Sequence, residues 1–343
     1  RTIAEYVQRC GGILSIEDLE KHRSDWVAPL STTYRGHEIY EFPPNTQGMV
    51  ALEMLNILEG YDLKERGYQS AEYLHLLLEA KKLAFADRDQ FISDPAFVDI
   101  PTERLLSKSY AEEQRARINL EQAMPYFVGE PEKDGDTMYL CTADAQGNVV
   151  SLIQSLYMGI GSGIVGGDTG VALHNRGAYF SLDPRHVNYL QPGKRTMHTL
   201  MPGMVLRDGQ PHMAIGTMGG DAQPQIHVQL LTAMLDFGLN PQQAISAPRW
   251  HSGRTALDTL TNFLPGQQGV DDRLDPNIAE VIEIEDRFPP HVAGQLAGLG
   301  HHIHPLGPWE DAMGHAQAIV LHPEDQIFAG AADPRCDGLA MGY

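Results

Sequence analysis

Cysteine is scarce in this sequence: Cys10, Cys141 and Cys336 are the three in 343 residues. An odd number, scattered without ligand-like spacing, argues against a disulfide framework and a cysteine metal site, so free thiols are expected. Long apolar runs are missing too. None approaches the roughly 18 residues of a membrane-spanning helix. Positive charge is in deficit, with 25 Lys and Arg against 45 Asp and Glu and a formal net charge of −20. That balance argues against nucleic acid and anionic membrane surfaces as partners. No internal repeat and no low-complexity tract occurs. Hydrophobic residues at 42% and charged residues at 20% are globular proportions. The length suits one large domain or two ordinary ones.

The first residue is Arg1, and Thr2 to Cys10 already reads as a helix ended by Gly11-Gly12. A chain that opens inside a helix implies an upstream segment. Any signal peptide would lie there, which leaves cytoplasm and periplasm both open. Ser15 is a helix N-cap with acidic residues behind it. Residues 31–42 read as two short strands around Arg35-Gly36. After the rigid loop 43–48, a helix is expected from Met49 to about Leu58, and a strong amphipathic helix from Ala71 to Arg88. A charged helix is expected over 107–120, followed by an irregular acidic linker over 125–135.

From residue 137 the character changes. Strands are expected at 137–143 and 149–157 around a turn at 144–148, and at 171–175, 203–207, 212–217, 303–306 and 316–321. Helices are expected at 223–237, 241–245 and 278–286. Hairpin-paired strands with helices gathered elsewhere predict a layered α+β fold.

A Thr opening a strand directly after a flexible polar segment can serve as a nucleophile, once cleavage frees its own α-amine to act as base. The run Asp134-Gly135-Asp136-Thr137 has that form. With a loop at 145–147, facing residues of the hairpin sum to 292, which sets Thr137 opposite Ser155 at a Cβ separation of roughly 4.5–5.5 Å. Met218-Gly219-Gly220 lies between an expected strand and helix. Its bare amides could stabilise an oxyanion.

Taken in order, these segments resemble the gamma-glutamyltranspeptidase family. Gly135-Asp136-Thr137, Asp144 to Ser151, and Gly161-Ser162-Gly163-Ile164-Val165 are similar to the opening of its small subunit. Pro192-Gly193-Lys194-Arg195, Met218-Gly219-Gly220, Asp236-Phe237-Gly238, Ala247-Pro248-Arg249 and Gly330 to Arg335 follow in family order. Gly11 to Leu14, Thr33 to Gly36, Asn56 to Gly60 and Ala84 to Arg88 resemble the later part of its large subunit. The resemblance implies an αββα N-terminal-nucleophile hydrolase sandwich without the upstream part of the large subunit. It also implies self-cleavage between Asp136 and Thr137. Residues 1–136 and 137–343 would then be two associated fragments of one αββα domain, with a higher homo-oligomer left open. The implied catalytic set is Thr137, Ser155, Gly219 and Gly220, with no cofactor and no metal.

Substrate-side positions depart from the transpeptidase pattern. Tyr157 stands for an Asn, His198-Thr199 for two serines, and Arg176 and Tyr179 for groups that hold an α-ammonium. In these the chain resembles the cephalosporin-acylase-like branch. Tyr157, Arg176, Tyr179, His198 and Thr199 are therefore the expected substrate contacts, for a gamma-glutamyl or glutaryl-type amide. Two other readings compete. An inactive family member could act as a binding protein. Asp168-Thr169-Gly170 matches the aspartic-protease tripeptide, but that chemistry needs two such carboxylates and there is one copy. His301, His302 and His304 resemble a metal cluster without an acidic or cysteine partner at useful spacing, so exposed edge histidines are expected.

Overall fold

The computed structural model describes residues 1–125, 136–253, 280–322, 324 and 327–343. Helices α1 (Thr2–Arg9) and α2 (Ile16–Lys21) come first, and Ser15 caps α2 by accepting the Asp18 N–H. Strands β1 (Leu30–Tyr34) and β2 (His37–Glu41) form a hairpin about Arg35-Gly36, both at positive φ, the backbone that suits the twist of a two-residue hairpin. Helices α3 (Gly48–Leu58), α4 (Leu63–Arg66), α5 (Ala71–Phe91), α6 (Thr102–Leu105) and α7 (Lys108–Arg115) follow. Beyond the undescribed residues 126–135 lie β3 (Asp136–Ala143) and β4 (Val149–Tyr157), then β5 (Gly203–Arg207), β6 (Gln210–Thr217), α8 (Gln223–Leu235), α9 (Pro241–Ser246) and β7 (Trp250–Gly253). The last elements are β8 (Val281–Glu285), α10 (Val292–Gly298), β9 (His302–Leu306), β10 (Ala316–His322) and β11 (Ile327–Ala332).

Three layers result among the described residues. The central one is an antiparallel sheet in the order β1-β2-β5-β6-β10-β11. Segments on both sides of residue 137 therefore share one sheet, through the β2–β5 pair. Helix α3, buried at every residue, packs on β1 and β2 and against α5, α7 and α8, while α8 packs on β6. The β3–β4 hairpin covers the other face, resting on β6 and β10. Its pleat turns Tyr139 and its neighbours inward and leaves Met138, Leu140, Val150 and Leu152 exposed on the outer side. A β7-β8-β9 sheet, with β8 and β9 parallel, stands beside these layers.

Two expected elements are corrected. The helix at 278–286 is instead strand β8 from Val281, with residues up to 279 outside the described set. Val-Ile-Glu-Ile-Glu has period two, and it buries Ile282 and Ile284 in the core while Glu285 meets Arg335 on the opposite face. The strand at 171–175 is a loop, tied to its neighbour by the isolated bridge Val165–Ala172. Glycines at positive φ on both sides of that bridge, Gly163, Gly167 and Gly170, keep the chain turning. The expected helix 107–120 ends at Arg115, and the expected linker 125–135 lies, after Pro125, outside the described residues.

Candidate active site

The register of the hairpin places Thr137 opposite Ser155, as the facing sum requires. Thr137 Oγ1 donates to Ser155 Oγ at 2.9 Å, and the Tyr157 N–H donates to the same oxygen at 2.8 Å. The register shifts between Asp136 and Thr137, so an irregularity of pairing falls at that peptide bond. On the other strand Tyr157 sits at φ 82, a backbone that a bulky side chain adopts only when its surroundings enforce it. Two residues along β3, Tyr139 lies flat on Gly216. A Cβ at residue 216 would come 2.2 Å from the Tyr139 ring, so the glycine sets how closely the Thr137 strand approaches β6.

Strand β6 runs directly into the glycine turn. Gly219 and Gly220 take φ 134 and φ 53, conformations open to glycine. The Met218 carbonyl accepts Thr217 Oγ1–H at 2.6 Å, and the Gly219 carbonyl accepts the Ala222 N–H at 2.8 Å. In a trans peptide the N–H points opposite to the C=O. Each carbonyl is held by the protein, so the paired amides of Gly219 and Gly220 face the other way. Neither finds an acceptor among the described residues.

Beside the turn lies a buried polar cluster. Tyr157 and Tyr179 pack with ring centroids 4.7 Å apart and planes tilted by 34°, and the Arg176 guanidinium sits 5.1 Å from the centre of the Tyr157 ring. Arg176 Nη1 donates to Thr199 Oγ1 at 3.2 Å, while its Nη2 is buried without a hydrogen-bond partner among the described residues. Burial lowers the Arg176 pKa, yet a guanidinium stays charged. His198 adjoins the cluster, but its Nδ1 accepts the Leu200 N–H at 3.3 Å. Burial and the nearby Arg176 push its pKa down to about 3, which keeps the imidazole neutral and leaves Arg176 as the cation there. Tyr179 OH donates to Asp221 Oδ2 at 2.9 Å, linking this cluster to the glycine turn.

Three residues that sequence reasoning passed over complete the network. Arg88 Nη1 reaches both Asp221 Oδ1 (2.6 Å) and Gln47 Oε1 (3.2 Å), and Gln47 Nε2 reaches the Gly220 carbonyl (2.9 Å). All three are fully buried. Arg88 closes the segment Ala84 to Arg88 and Gln47 lies in the loop before α3, so the residues were visible; what they hold was not.

Other candidates fall elsewhere. His302 and His304 are exposed on β9, which is an edge strand of its sheet. His301 is buried and meets His75, Nε2 to Nδ1, at 2.7 Å, with Glu79 close by. Glu79 already pairs with Lys82 at 2.7 Å and accepts the Met124 N–H, and His75 Nε2 donates to the Asn119 carbonyl. These bonds surround the buried Lys82 cation, which suits a packed core better than a bound divalent ion, although His301 Nδ1 is buried without a hydrogen-bond partner among the described residues. Asp168 lies in the loop after β4.

A sequence profile for the family described as gamma-glutamyltranspeptidase matches residues 1–343. The chain is 45% identical over 341 residues to the glutathione hydrolase-like YwrD proenzyme of Bacillus subtilis, covering 99% of this chain and 60% of that one. It is 37% identical to the oxamate amidohydrolase proenzyme of Klebsiella pneumoniae, covering 99% and 60%. The cephalosporin acylase structure from Bacillus halodurans superposes with a TM-score of 0.84 at 40% identity, covering 100% of this chain and 58% of that one. The chain thus spans about 60% of the length of these curated relatives.

Proposed function

Because the chain belongs to the gamma-glutamyltranspeptidase family, we propose that it is the catalytic part of a self-processing amidohydrolase with Thr137 as nucleophile. The observation that carries this reading is the 2.9 Å hydrogen bond from Thr137 Oγ1 to Ser155 Oγ at the very start of β3, on a hairpin that packs against β6, the strand that runs into the glycine turn. In processing, Thr137 Oγ attacks the Asp136 carbonyl, the acyl group moves from nitrogen to oxygen and frees the Thr137 α-amine, and water then hydrolyses the ester to leave a carboxylate at Asp136 and the restored Thr137 hydroxyl. The fragments 1–136 and 137–343 stay together through the β2–β5 pair and the shared core. In turnover the α-amine takes the hydroxyl proton, Oγ attacks the amide, and the Gly219 and Gly220 amides take the tetrahedral oxyanion. The α-amine then protonates the leaving amine, and water or an amino acceptor resolves the acyl-enzyme. Ser155 orients the threonine.

The acyl group is proposed to carry a carboxylate and no obligatory α-ammonium, as in a glutaryl amide. A gamma-glutamyl group needs an acceptor for its ammonium, and the corresponding space holds the Arg176 cation and the Tyr157–Tyr179 aromatic pair. Arg176 Nη2 is instead suited to a carboxylate. Comparing kcat/KM for glutaryl and gamma-glutamyl anilides on the full-length protein tests this. A gamma-glutamyl preference of about tenfold, near 1.4 kcal/mol in transition-state binding, would overturn it.

A further inference from the structure

The glycine turn makes its two outward amides only while its carbonyls stay turned inward, and nothing in two consecutive glycines enforces that by itself. The surroundings do so at both ends. At the first, Thr217 Oγ1 grips the Met218 carbonyl, and the peptide unit it fixes is the one that carries the Gly219 N–H. Thr217 is fully buried, and Gly314 approaches so closely that a Cβ there would meet the Met218 oxygen at 2.6 Å and Thr217 Oγ1 at 2.7 Å. The hydroxyl therefore has little room to turn elsewhere. At the far end the Gly219 carbonyl, whose peptide unit carries the Gly220 N–H, accepts the Ala222 N–H, and Gln47 Nε2 grips the next carbonyl, that of Gly220, anchoring the residue from its other side; Gln47 Nε2 also reaches the Thr199 carbonyl at 3.4 Å. Its amide orientation follows from chemistry: Arg88 can only donate, so the oxygen must face Arg88 and the nitrogen must face the two carbonyls. Arg88 is fixed in turn by Asp221, the residue after the turn.

We propose that Thr217, which fixes the peptide unit of the Gly219 amide, and Gln47, which anchors Gly220 through its carbonyl, are positioning residues that hold the Gly219 and Gly220 amides toward the developing oxyanion. Neither touches the substrate. Gln47 also ties the turn to Thr199, the partner of Arg176, so acyl recognition and oxyanion stabilisation share one buried brace. This inference rests on the oxyanion role given to those two amides.

The test uses full-length protein carrying Thr217→Val, Thr217→Ser or Gln47→Met, with Thr137→Ala as reference. The measurements are kcat and KM on a glutaryl anilide, and inhibition by 4-boronobutanoate and by glutarate. The boronate accepts the threonine oxygen and presents a tetrahedral oxygen where the oxyanion forms; glutarate reports ground-state binding. Thr217→Val should lower kcat and kcat/KM together by about 10- to 100-fold, less than outright loss of an oxyanion donor, with a matching rise in the boronate inhibition constant. KM and the glutarate constant should stay within about threefold, and Thr217→Ser, which keeps the hydroxyl, should restore the wild-type rate. Gln47→Met should behave like Thr217→Val, and it supplies the answer should the valine variant fail to fold. If both variants keep wild-type kcat and boronate affinity while Thr137→Ala is dead, the positioning roles are wrong and the Thr137 assignment stands. If Thr137→Ala still turns over, the assignment falls and takes this inference with it.

Discussion

Replacing Arg176 by Met should convert a carboxylate-selective acyl site into an indifferent one. Arg176 is 6% exposed, donates through Nη1 to Thr199, stacks near Tyr157, and keeps a buried Nη2 without a partner among the described residues. A hydrogen bond to a charged group contributes about 1.5–3 kcal/mol, and buried geometry with a neutral His198 beside it favours the upper part of that range. At about 1.4 kcal/mol per factor of ten, kcat/KM for a glutaryl anilide should fall by about 10- to 150-fold. Butyryl anilide has the same chain length without the carboxylate, so its kcat/KM should change by less than about threefold. The methionine fills much of the space on the Tyr157 ring, and Thr199 can turn its hydroxyl, so the fold should survive. The assay is steady-state hydrolysis of both anilides by wild type and variant. Equal losses on the two substrates would refute the reasoning, since they would mean that Arg176 supports the wall of the site rather than the acyl carboxylate.

Thr137→Ala should abolish both chain cleavage and turnover, read on a denaturing gel and with a glutaryl anilide; residual hydrolysis would mean another nucleophile. Gly216→Ala places a methyl group 2.2 Å from the Tyr139 ring. It should cost about 1–3 kcal/mol of stability by overpacking, seen as a lower thermal midpoint, and should slow processing because the Thr137 strand is lifted from β6. Glu53 is buried against Asp87, and desolvation raises its pKa well above 4.5. The folded state therefore holds this proton to higher pH than the unfolded state does, so this group's stabilisation is full below about pH 4.5 and declines as pH rises through the raised pKa. Glu53→Gln should raise the thermal midpoint at pH 7 and 8 more than at pH 5; an equal shift at every pH would contradict the assignment.

Much of the site could be read before the fold was seen, for physical reasons that differ from residue to residue. A tight hairpin with a side-chain period of two makes cross-strand partners a matter of counting, which is why Thr137 and Ser155 were found together. The glycine pair was legible because consecutive glycines between a strand and a helix leave amides bare. Arg88, Asp221 and Gln47 were not legible, since their contacts span 133, 41 and 173 residues and depend on how α5 and the loop before α3 pack. β8 is a different case. Val281 to Glu285 alternates with period two, so the strand was legible locally against the helix expected over 278–286, while the buried partner of Glu285, Arg335, lies 50 residues away and was not. His301 shows the converse: adjacent histidines in sequence suggested one cluster, whereas the strand sends His302 to solvent and packs His301 against His75.

The central claim is that Thr137 becomes the N-terminus of the catalytic fragment. Intact-mass and N-terminal analysis of the freshly purified, active full-length protein tests it directly. The account predicts a fragment beginning with an unblocked Thr137, paired with one ending at Asp136. An active enzyme whose Asp136–Thr137 bond is intact would contradict it.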